Sequence, residues 1–594
     1  MSLLQTLPSL PSDAAYDLVV IGAGGAGLSA ALHGAIDGAR VLVVERTGYV
    51  GGTTAWSAGT TWIPCTRHAR SVPGEDSLAQ AEGYLDRVVG LHADAALRRA
   101  FLAHGAEAVE RFEQHTEVHY RPYATHPDYE SDIEGATLRG RALEPLPFDG
   151  RRLGALFGAL RPPIPEFTVL GGMMVDRTDI NHLLAMGRSL ASLRHAIGIV
   201  GRHAVDRLSH PRGTRLVMGN ALVGRLLHSL AQRPNVTLLL HTQMREIHVE
   251  AGGTADEHGP RAIEAITLEA GSATRRVRVR GGLVLSSGGI NRDPQWRARM
   301  LPGIPMDWCP GAPGHTGQAQ ALALQLGARH GEGAASPAFW APVSLRRRPD
   351  GSTAVFPHFV MDRAKPGMLT INQAGRRYLN ESTSYHRYGL AMQAEQRRSE
   401  RGDLGAGAAL PSWIVCDAAA LKRHGLGMVR PGGGGLAAFL ADGYLRTGAT
   451  LAELAVRIGV DAATLEATVA THNRHAEAGL DPDFQRGTTA YQRNIGDATW
   501  PGRNPNLGAL ATGPYYAVQV VPGDIGAAVG LQTDDRARVL DAQGTPIAGL
   551  YAVGNDAQSI MGGTYPGPGI TIGPGMVFGY LAARDAVARA TAAA

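Results

Sequence analysis

Residues 16–59 read YDLVVIGAGGAGLSAALHGAIDGARVLVVERTGYVGGTTAWSAG. An apolar run, Leu18-Val19-Val20-Ile21, enters Gly22-Ala23-Gly24-Gly25-Ala26-Gly27, a GxGxxG directly after a strand pattern. A helical pattern follows over residues 28–36, and a second apolar run over residues 41–44 ends at Glu45. This is a complete βαβ unit with an acidic residue closing its second strand. Gly22 permits the tight turn, Gly24 lets the backbone approach a pyrophosphate, and Gly27 lets helix and strand pack closely. The free amides and dipole at the helix start, including Gly25, then face the phosphates. Glu45 stands where a carboxylate accepts ribose hydroxyls, with Arg46 beside it. An ordinary glycine-rich turn would leave Glu45 unexplained.

The next loop, Gly51-Gly52-Thr53-Thr54-Ala55-Trp56-Ser57-Ala58-Gly59, is small, polar and glycine-dense. It suits an extended cofactor, with Gly52, Thr53, Thr54, Ser57, Ala58 and Gly59 as binding candidates. A nicotinamide dehydrogenase does not need such a loop, whereas a flavoprotein that lays FAD across the domain commonly has one. Ser286-Ser287-Gly288-Gly289 ends a later strand in a tight turn, with Gly288 backing the cofactor. Near the C-terminus, Gly549-Leu550-Tyr551-Ala552-Val553-Gly554-Asn555 reads as a strand closing an FAD site at Gly554 and Asn555. No second strand-GxGxxG-helix unit is present, so a dedicated NAD(P)H site is not expected. Some flavoproteins bond FAD to a His in the loop after the first βαβ unit. Residues 51–59 hold no His and the nearest downstream is His68, so FAD is expected to bind non-covalently.

At 594 residues, length alone suggests roughly two to four domains. The formal charge of +4 is small for this length, so nucleic-acid binding is not expected. Arg346-Arg347-Arg348 is the longest basic run and reads as a solvated loop. Three scattered cysteines, Cys65, Cys309 and Cys416, fit neither a disulfide framework nor a zinc site, and point to a reducing compartment. No HExxH or HxxEH spacing occurs, so no metal is expected. The N-terminus lacks a secretory pattern and no run of 18 apolar residues exists, so a cytoplasmic protein without a membrane span is expected.

Apolar spacing predicts helices within 75–115 and over 220–232, and strands over 236–240, 263–268 and 283–285. Residues 116–165 read as irregular. From about 330 the pattern changes, with strands over 367–372 and 412–417 and helices around 451–479. The expected fold is α/β: a Rossmann-like FAD-binding domain of glutathione-reductase type, with an inserted α+β substrate-capping domain. The expected division is 1–330 and 524–594 for the FAD domain, with 331–523 inserted.

Further motifs carry a family resemblance. They are Pro127-Asp128-Tyr129, the segment 140–150, Asn380-Glu381-Ser382-Thr383-Ser384-Tyr385, and Tyr565-Pro566-Gly567-Pro568-Gly569-Ile570-Thr571-Ile572-Gly573-Pro574. Together with the N-terminal unit they resemble the flavoprotein family of fumarate reductases and 3-ketosteroid dehydrogenases, on its steroid-dehydrogenase branch. The resemblance implies catalytic roles for Tyr129, Tyr385 and Tyr565 with the Gly569 amide, and FAD contacts at Gly569 and Ile572. One departure stands out: Gly526-Ala527-Ala528-Val529-Gly530 replaces the family's usual Gly-Thr-x-Gly-Gly, which bears on substrate identity.

The implied reaction is 1,2-desaturation of a cyclic ketone, a 3-oxosteroid first and a smaller ring such as a substituted cyclohexanone second. Tyr565 and Gly569 would stabilise the developing oxyanion. Tyr385 would take the α proton as tyrosinate, its pKa lowered from about 10 by a donor such as Tyr129. The β hydride would pass to flavin N5, and a helix beginning near Gly573-Pro574 would face the resulting charge. Electrons would leave to an external acceptor, a quinone or similar. Two other readings stay open. A fumarate-reductase-like ene reductase would use Arg376, Arg377, His386 and Arg387 as carboxylate clamps. A non-catalytic flavin-binding protein would carry flavin that no ketone reduces.

Overall fold

In the computed structural model, residues 3–74, 76–250 and 262–592 are described. The N-terminal unit forms as expected. Strand Ala15–Ile21 leads into helix Gly25–Ile36 and strand Val41–Val44, nearly all buried because both faces of this sheet are covered. Strands Ala15–Ile21, Val41–Val44 and Val236–Leu239 pair in parallel at the centre of a nine-stranded sheet. Strand Pro546–Ala552 joins it on the other side, through Ala273–Leu285. Helix Ile572–Ala592 then packs along Gly25–Ile36. An added Cβ on Gly579 would meet Ala26 O at 2.7 Å, so this crossing needs glycine.

A second, six-stranded sheet is built from Ala338–Arg347, Thr353–Pro357, Met368–Ile371, Ser412–Asp417, Leu445–Gly448 and Tyr515–Ala527. Helices Leu451–Ile458 and Ala462–Ala478 cover one face and Tyr385–Glu400 lies near the other. Strand Tyr515–Ala527 runs through the expected break at 523/524, because its last residues still pair with Ala338–Trp340.

Other differences have local causes. The helical stretch 75–115 is two helices, Leu78–Val89 and Ala95–His115, split at Gly90 (φ +57°) and recapped by the Asp94 carboxylate. The segment read as irregular contributes short strands, Tyr120–Pro122 and Ala142–Pro145, to a three-stranded sheet with Thr61–Trp62. Between residues 177 and 206 stands a helical hairpin, Arg177–Ala185 and Leu190–Asp206, that the periodicity reading passed over.

Candidate active site

The three glycine-rich segments meet. Gly22 takes φ +108°, and an added Cβ would lie 2.3 Å from Ser286 O; one on Gly27 would lie 2.1 Å from Gly22 O. These two positions admit no side chain, as the βαβ reading requires. Gly24 caps the helix, and a Cβ there would find open space; Gly52, at φ +50°, faces its Cα. That open cradle at a helix N-terminus fits a pyrophosphate. Gly554 (φ +61°) and Gly575 close on Ala26 from the C-terminal side. A recess between them is lined by Gly554, Asn555, Thr571, Pro574, Gly575 and Phe339. Ile572 begins the helix whose N-terminal turn borders this recess.

Several polar groups expected to serve the cofactor also serve the protein. Glu45 is buried; its Oε2 accepts the Ala23 amide (3.1 Å) and its Oε1 accepts the amide and hydroxyl of Thr47 (2.8 and 2.7 Å). Oε1 is thereby filled, and Oε2 keeps a lone pair for a ribose hydroxyl. Thr54 Oγ1 accepts the Gly25 amide (3.2 Å), which withdraws that amide from the phosphate set. Thr53 Oγ1 accepts the Ala312 amide and sits 3.3 Å from His315 Nε2. Ser57 Oγ donates to Thr54 O and accepts the Gly59 amide, while Arg46 donates to Thr316 Oγ1. Ala58 is exposed, and Gly59 (φ +67°) lies against Gly219. A hydroxyl in a tight glycine loop satisfies the nearest amide first. Gly288 (φ +97°) lies against the His315 ring, whose burial pushes its pKa down to about 4 and keeps it neutral. Neither His315 nor Asp556, which accepts from Ser287 and Gly289, announces itself in the sequence.

The tyrosines meet as well. Tyr129 Oη donates to Tyr385 Oη at 3.1 Å. The Tyr385 ring lies 5.1 Å from that of Tyr565 and edge-on to it, and the Tyr129 ring stacks 5.6 Å from Tyr565. Each residue is only 7% exposed. Their placement is rigid. The Tyr129 amide donates to Pro566 O at 2.8 Å, tying the Pro-Asp-Tyr loop to the Tyr-Pro-Gly loop. Asp128 accepts from Trp62 Nε1 and Arg141 Nη1, both at 2.8 Å. Tyr385 opens helix Tyr385–Glu400 behind the Ser384 cap, and buried Arg363 donates to Thr383 O at 2.7 Å. Gly569 takes φ +91°, with an added Cβ 2.3 Å from Thr60 O. Among the described residues, none accepts a hydrogen bond from its amide. A half-buried amide left without an acceptor, four residues after Tyr565, is a donor that a carbonyl oxygen would complete.

The FAD binding domain family matches residues 17–572 of this chain. The 3-oxosteroid 1-dehydrogenase of Mycolicibacterium smegmatis is 33% identical over 97% of this chain and 98% of its own. The chain belongs to the FAD-dependent flavoprotein family of 3-ketosteroid dehydrogenases and fumarate reductases. It is an oxidoreductase and its cofactor is FAD. The 4-oxocyclohex-2-ene-1-carboxylate 5-dehydrogenase of Sinomonas cyclohexanicum is 35% identical, covering 97% of this chain and 95% of its own. The crystal structure of a 3-ketosteroid delta1-dehydrogenase from Sterolibacterium denitrificans, in complex with 1,4-androstadiene-3,17-dione, superposes with a TM-score of 0.88. It is 32% identical and covers 97% of this chain and 99% of that one.

Within this flavoprotein the electrostatics differ from expectation at one point. Burial, reinforced by Tyr129 and Tyr565, pushes the Tyr385 phenol well above its ordinary value. Hydrogen bonds within the trio lower Tyr129 and Tyr565, but burial outweighs them and all three phenols stand above their ordinary value. Tyr565 is pushed up to about 12 by burial. A fourth member was not foreseen: Tyr491, whose ring lies 4.6 Å from that of Tyr129. Burial raises it to about 12 against the opposing charge of Arg363, and its hydroxyl has no partner among the described residues. Arg363 is the nearby fixed positive charge. It is fully buried and spends its donors on the carbonyls of His358, Phe359, Glu381 and Thr383.

The clamp required by the dicarboxylate reading is already occupied. Arg377 pairs with Glu381 (2.7 Å) and Asp481 (2.9 Å), and Arg387 with Glu130 (2.6 Å). His386 Nδ1 accepts the Trp340 amide, and burial lowers the ring to about 4. Arg376 alone is exposed and unpaired among the described residues, at the edge of a groove beside helix Ala462–Ala478.

Replacing Glu45 with Ala is expected to cost about 1–3 kcal/mol of cofactor binding, since a ribose hydroxyl and the Ala23 amide both lose an acceptor. The flavin-to-protein ratio after dialysis measures this. Wild-type cofactor content would show that Glu45 serves the loop alone.

Proposed function

We propose that this protein desaturates a cyclic ketone between the carbons α and β to its carbonyl, with a 3-oxosteroid as the leading substrate. The observation that carries this reading is the Tyr129–Tyr385 hydroxyl pair beside Tyr565 and the orphan Gly569 amide. The carbonyl oxygen would accept from Tyr565 Oη and the Gly569 N–H, which makes the α hydrogen acidic. Tyr385, as phenolate, would take that proton, with Tyr129 donating to its oxygen and sharing the charge. Phe339 and Phe359, at 5.2 Å from Tyr565 and 4.9 Å from Tyr385, wall the site with apolar rings and keep water out. Bound FAD supplies the acceptor for the β hydride. The positive end of helix Ile572–Ala592, beside the recess, favours negative charge there.

A smaller six-membered ketone is the second reading, favoured by the 35% identity to a dehydrogenase named for an oxocyclohexene carboxylate. Electrons would pass on to an external quinone-like acceptor, and the protein would work in the cytoplasm. Among the described residues no helix is long and apolar enough to cross a membrane.

Attachment of FAD is proposed to be non-covalent. His68, the nearest histidine after the loop, is held by Glu113 at 2.8 Å. Acid precipitation should release all the flavin; yellow colour kept by the denatured chain would contradict this. A panel of steroidal and monocyclic ketones, added anaerobically to the oxidised protein, tests the reaction through flavin bleaching. Bleaching by a 3-oxosteroid is the expected result. Bleaching by none of the ketones would overturn the desaturase reading and favour a flavin-binding protein without this activity.

A further inference from the structure

Three consecutive residues of one loop reach across the tyrosine site. Tyr129 donates to Tyr385 Oη, Glu130 pairs with Arg387 at 2.6 Å, and Ser131 Oγ accepts the Tyr491 amide at 2.9 Å. All three partners lie in the chain between strands Thr353–Pro357 and Tyr515–Ala527 of the six-stranded sheet. On its other side the loop is fastened to the Tyr565 segment. Pro566 O accepts the Tyr129 amide (2.8 Å) and the Tyr84 hydroxyl (2.6 Å), and Tyr84 Oη in turn accepts the Glu130 amide (3.4 Å). The loop therefore joins the strip that carries Tyr565 and Gly569 to the helix that carries Tyr385.

The middle link is not explained by local stability. Arg387 is the third residue of helix Tyr385–Glu400, and the Ser384 cap accepts its amide at 3.3 Å. That position favours an acid, which reaches back to the cap and complements the positive end of the helix. The first turn of this helix holds no acid, and a cation there opposes the dipole. Glu130 is equally ill placed on its own account. It is buried, Arg387 is its ion-pair partner among the described residues, and its charge pushes the Tyr84 and Tyr491 phenols up. A carboxylate that opposes phenolate formation in this cluster does not serve the proton transfer directly. Each residue carries a local cost that pairing with the other offsets.

The pair stands beside the hydroxyls it would align. Glu130 adjoins Tyr129, and Arg387 follows Tyr385 by one helical step past His386. The Tyr491 amide is a donor left over at the start of helix Ala490–Ile495, and Ser131 satisfies it from the same loop. We propose that Glu130 and Arg387 are positioning residues: their ion pair latches the 129–131 loop onto helix Tyr385–Glu400 and so sets the register between the proton acceptor Tyr385 and the oxyanion donors Tyr565 and Gly569. The effect on rate rests on the desaturase reading; the latch itself does not.

The test compares the FAD-loaded wild type with Glu130→Gln, Arg387→Gln, the double variant and Arg387→Lys. Glu130→Gln is the safer arm for folding, since it keeps the shape of the side chain and removes a buried charge without leaving another unpaired in the interior. Hydrogen–deuterium exchange without ketone reads the latch. Peptides covering Tyr491, whose amide is held by Ser131, should exchange faster in Glu130→Gln and Arg387→Gln and close to the wild-type rate in Arg387→Lys. Anaerobic flavin reduction by a 3-oxosteroid reads the consequence. The limiting rate should fall by about ten- to a hundredfold in both Gln variants, as for a displaced reacting group, while the half-saturating ketone concentration holds. The double variant should be no slower than the slower single one, because the two residues act as one pair. Arg387→Lys keeps the charge and should recover most of the rate. Unchanged exchange, or an unchanged limiting rate beside an active wild type, would overturn the proposal, as would losses that multiply in the double variant. A wild type that no ketone reduces would sink the desaturase reading instead, and the exchange measurement would still decide the latch.

Discussion

Tyr385→Phe is expected to reduce ketone-driven flavin reduction by up to about four orders of magnitude, close to the limit of detection, while substrate still binds. The ring remains, so its edge contacts with Tyr129, Tyr565 and Phe359 survive. Only the oxygen that takes the α proton is lost. Tyr129 cannot replace it, because its own hydroxyl sits behind Tyr385 as the donor. The pH dependence should carry the same signature. Burial holds the Tyr385 phenol well above its ordinary value, so the phenolate is a minor form near neutrality. Its population, and the rate, should rise with pH by about tenfold per unit. Stopped-flow reduction across the neutral and alkaline range measures both effects. A pH-independent rate in the wild type would point to a base that is already ionised.

The second large effect is expected at the oxyanion site. Tyr565→Phe removes one of two donors to the carbonyl oxygen and should lower the reduction rate by about 10²–10³, with some loss of binding. The Gly569 amide remains, fixed by the left-handed backbone that its contact with Thr60 demands. That is why the loss should be partial where Tyr385→Phe is near total. Equal losses for the two variants would mean that Tyr565 does more than hold the oxygen.

The dinucleotide half of the fold was legible because its signals are local. An apolar run, a turn that only glycine fits and a carboxylate at a strand end all lie within one βαβ unit, and the collisions at Gly22 and Gly27 reproduce that logic in space. The meeting of Tyr129, Tyr385 and Tyr565 was legible only through motif resemblance, since nothing in their local periodicity separates them from the other tyrosines. Tyr491 was illegible for the same reason. It lies in the first turn of a six-residue helix, Ala490–Ile495, and reaches Tyr129 through tertiary packing. The hydroxyls of Thr53, Thr54 and Ser57 were read as ligand groups alone, whereas each also accepts a neighbouring amide, which competes with ligand binding. The expected lowering of Tyr385 by Tyr129 likewise rested on one hydrogen bond and left out the larger penalty of burying a phenolate. The hairpin escaped because its amphipathic pattern is indistinguishable in sequence from that of a core helix; which side faces the protein is decided by Asp179, His203 and Asp206.

Removal of the α proton by Tyr385 can be read apart from hydride transfer. Dithionite-reduced holoenzyme cannot accept a hydride, so in deuterated water any exchange of the ketone's α hydrogen reports proton abstraction alone. Mass spectrometry of the recovered ketone should show deuterium incorporation with the wild type and none above background with Tyr385→Phe. Incorporation at the wild-type rate by Tyr385→Phe would contradict the account and assign the proton to another group.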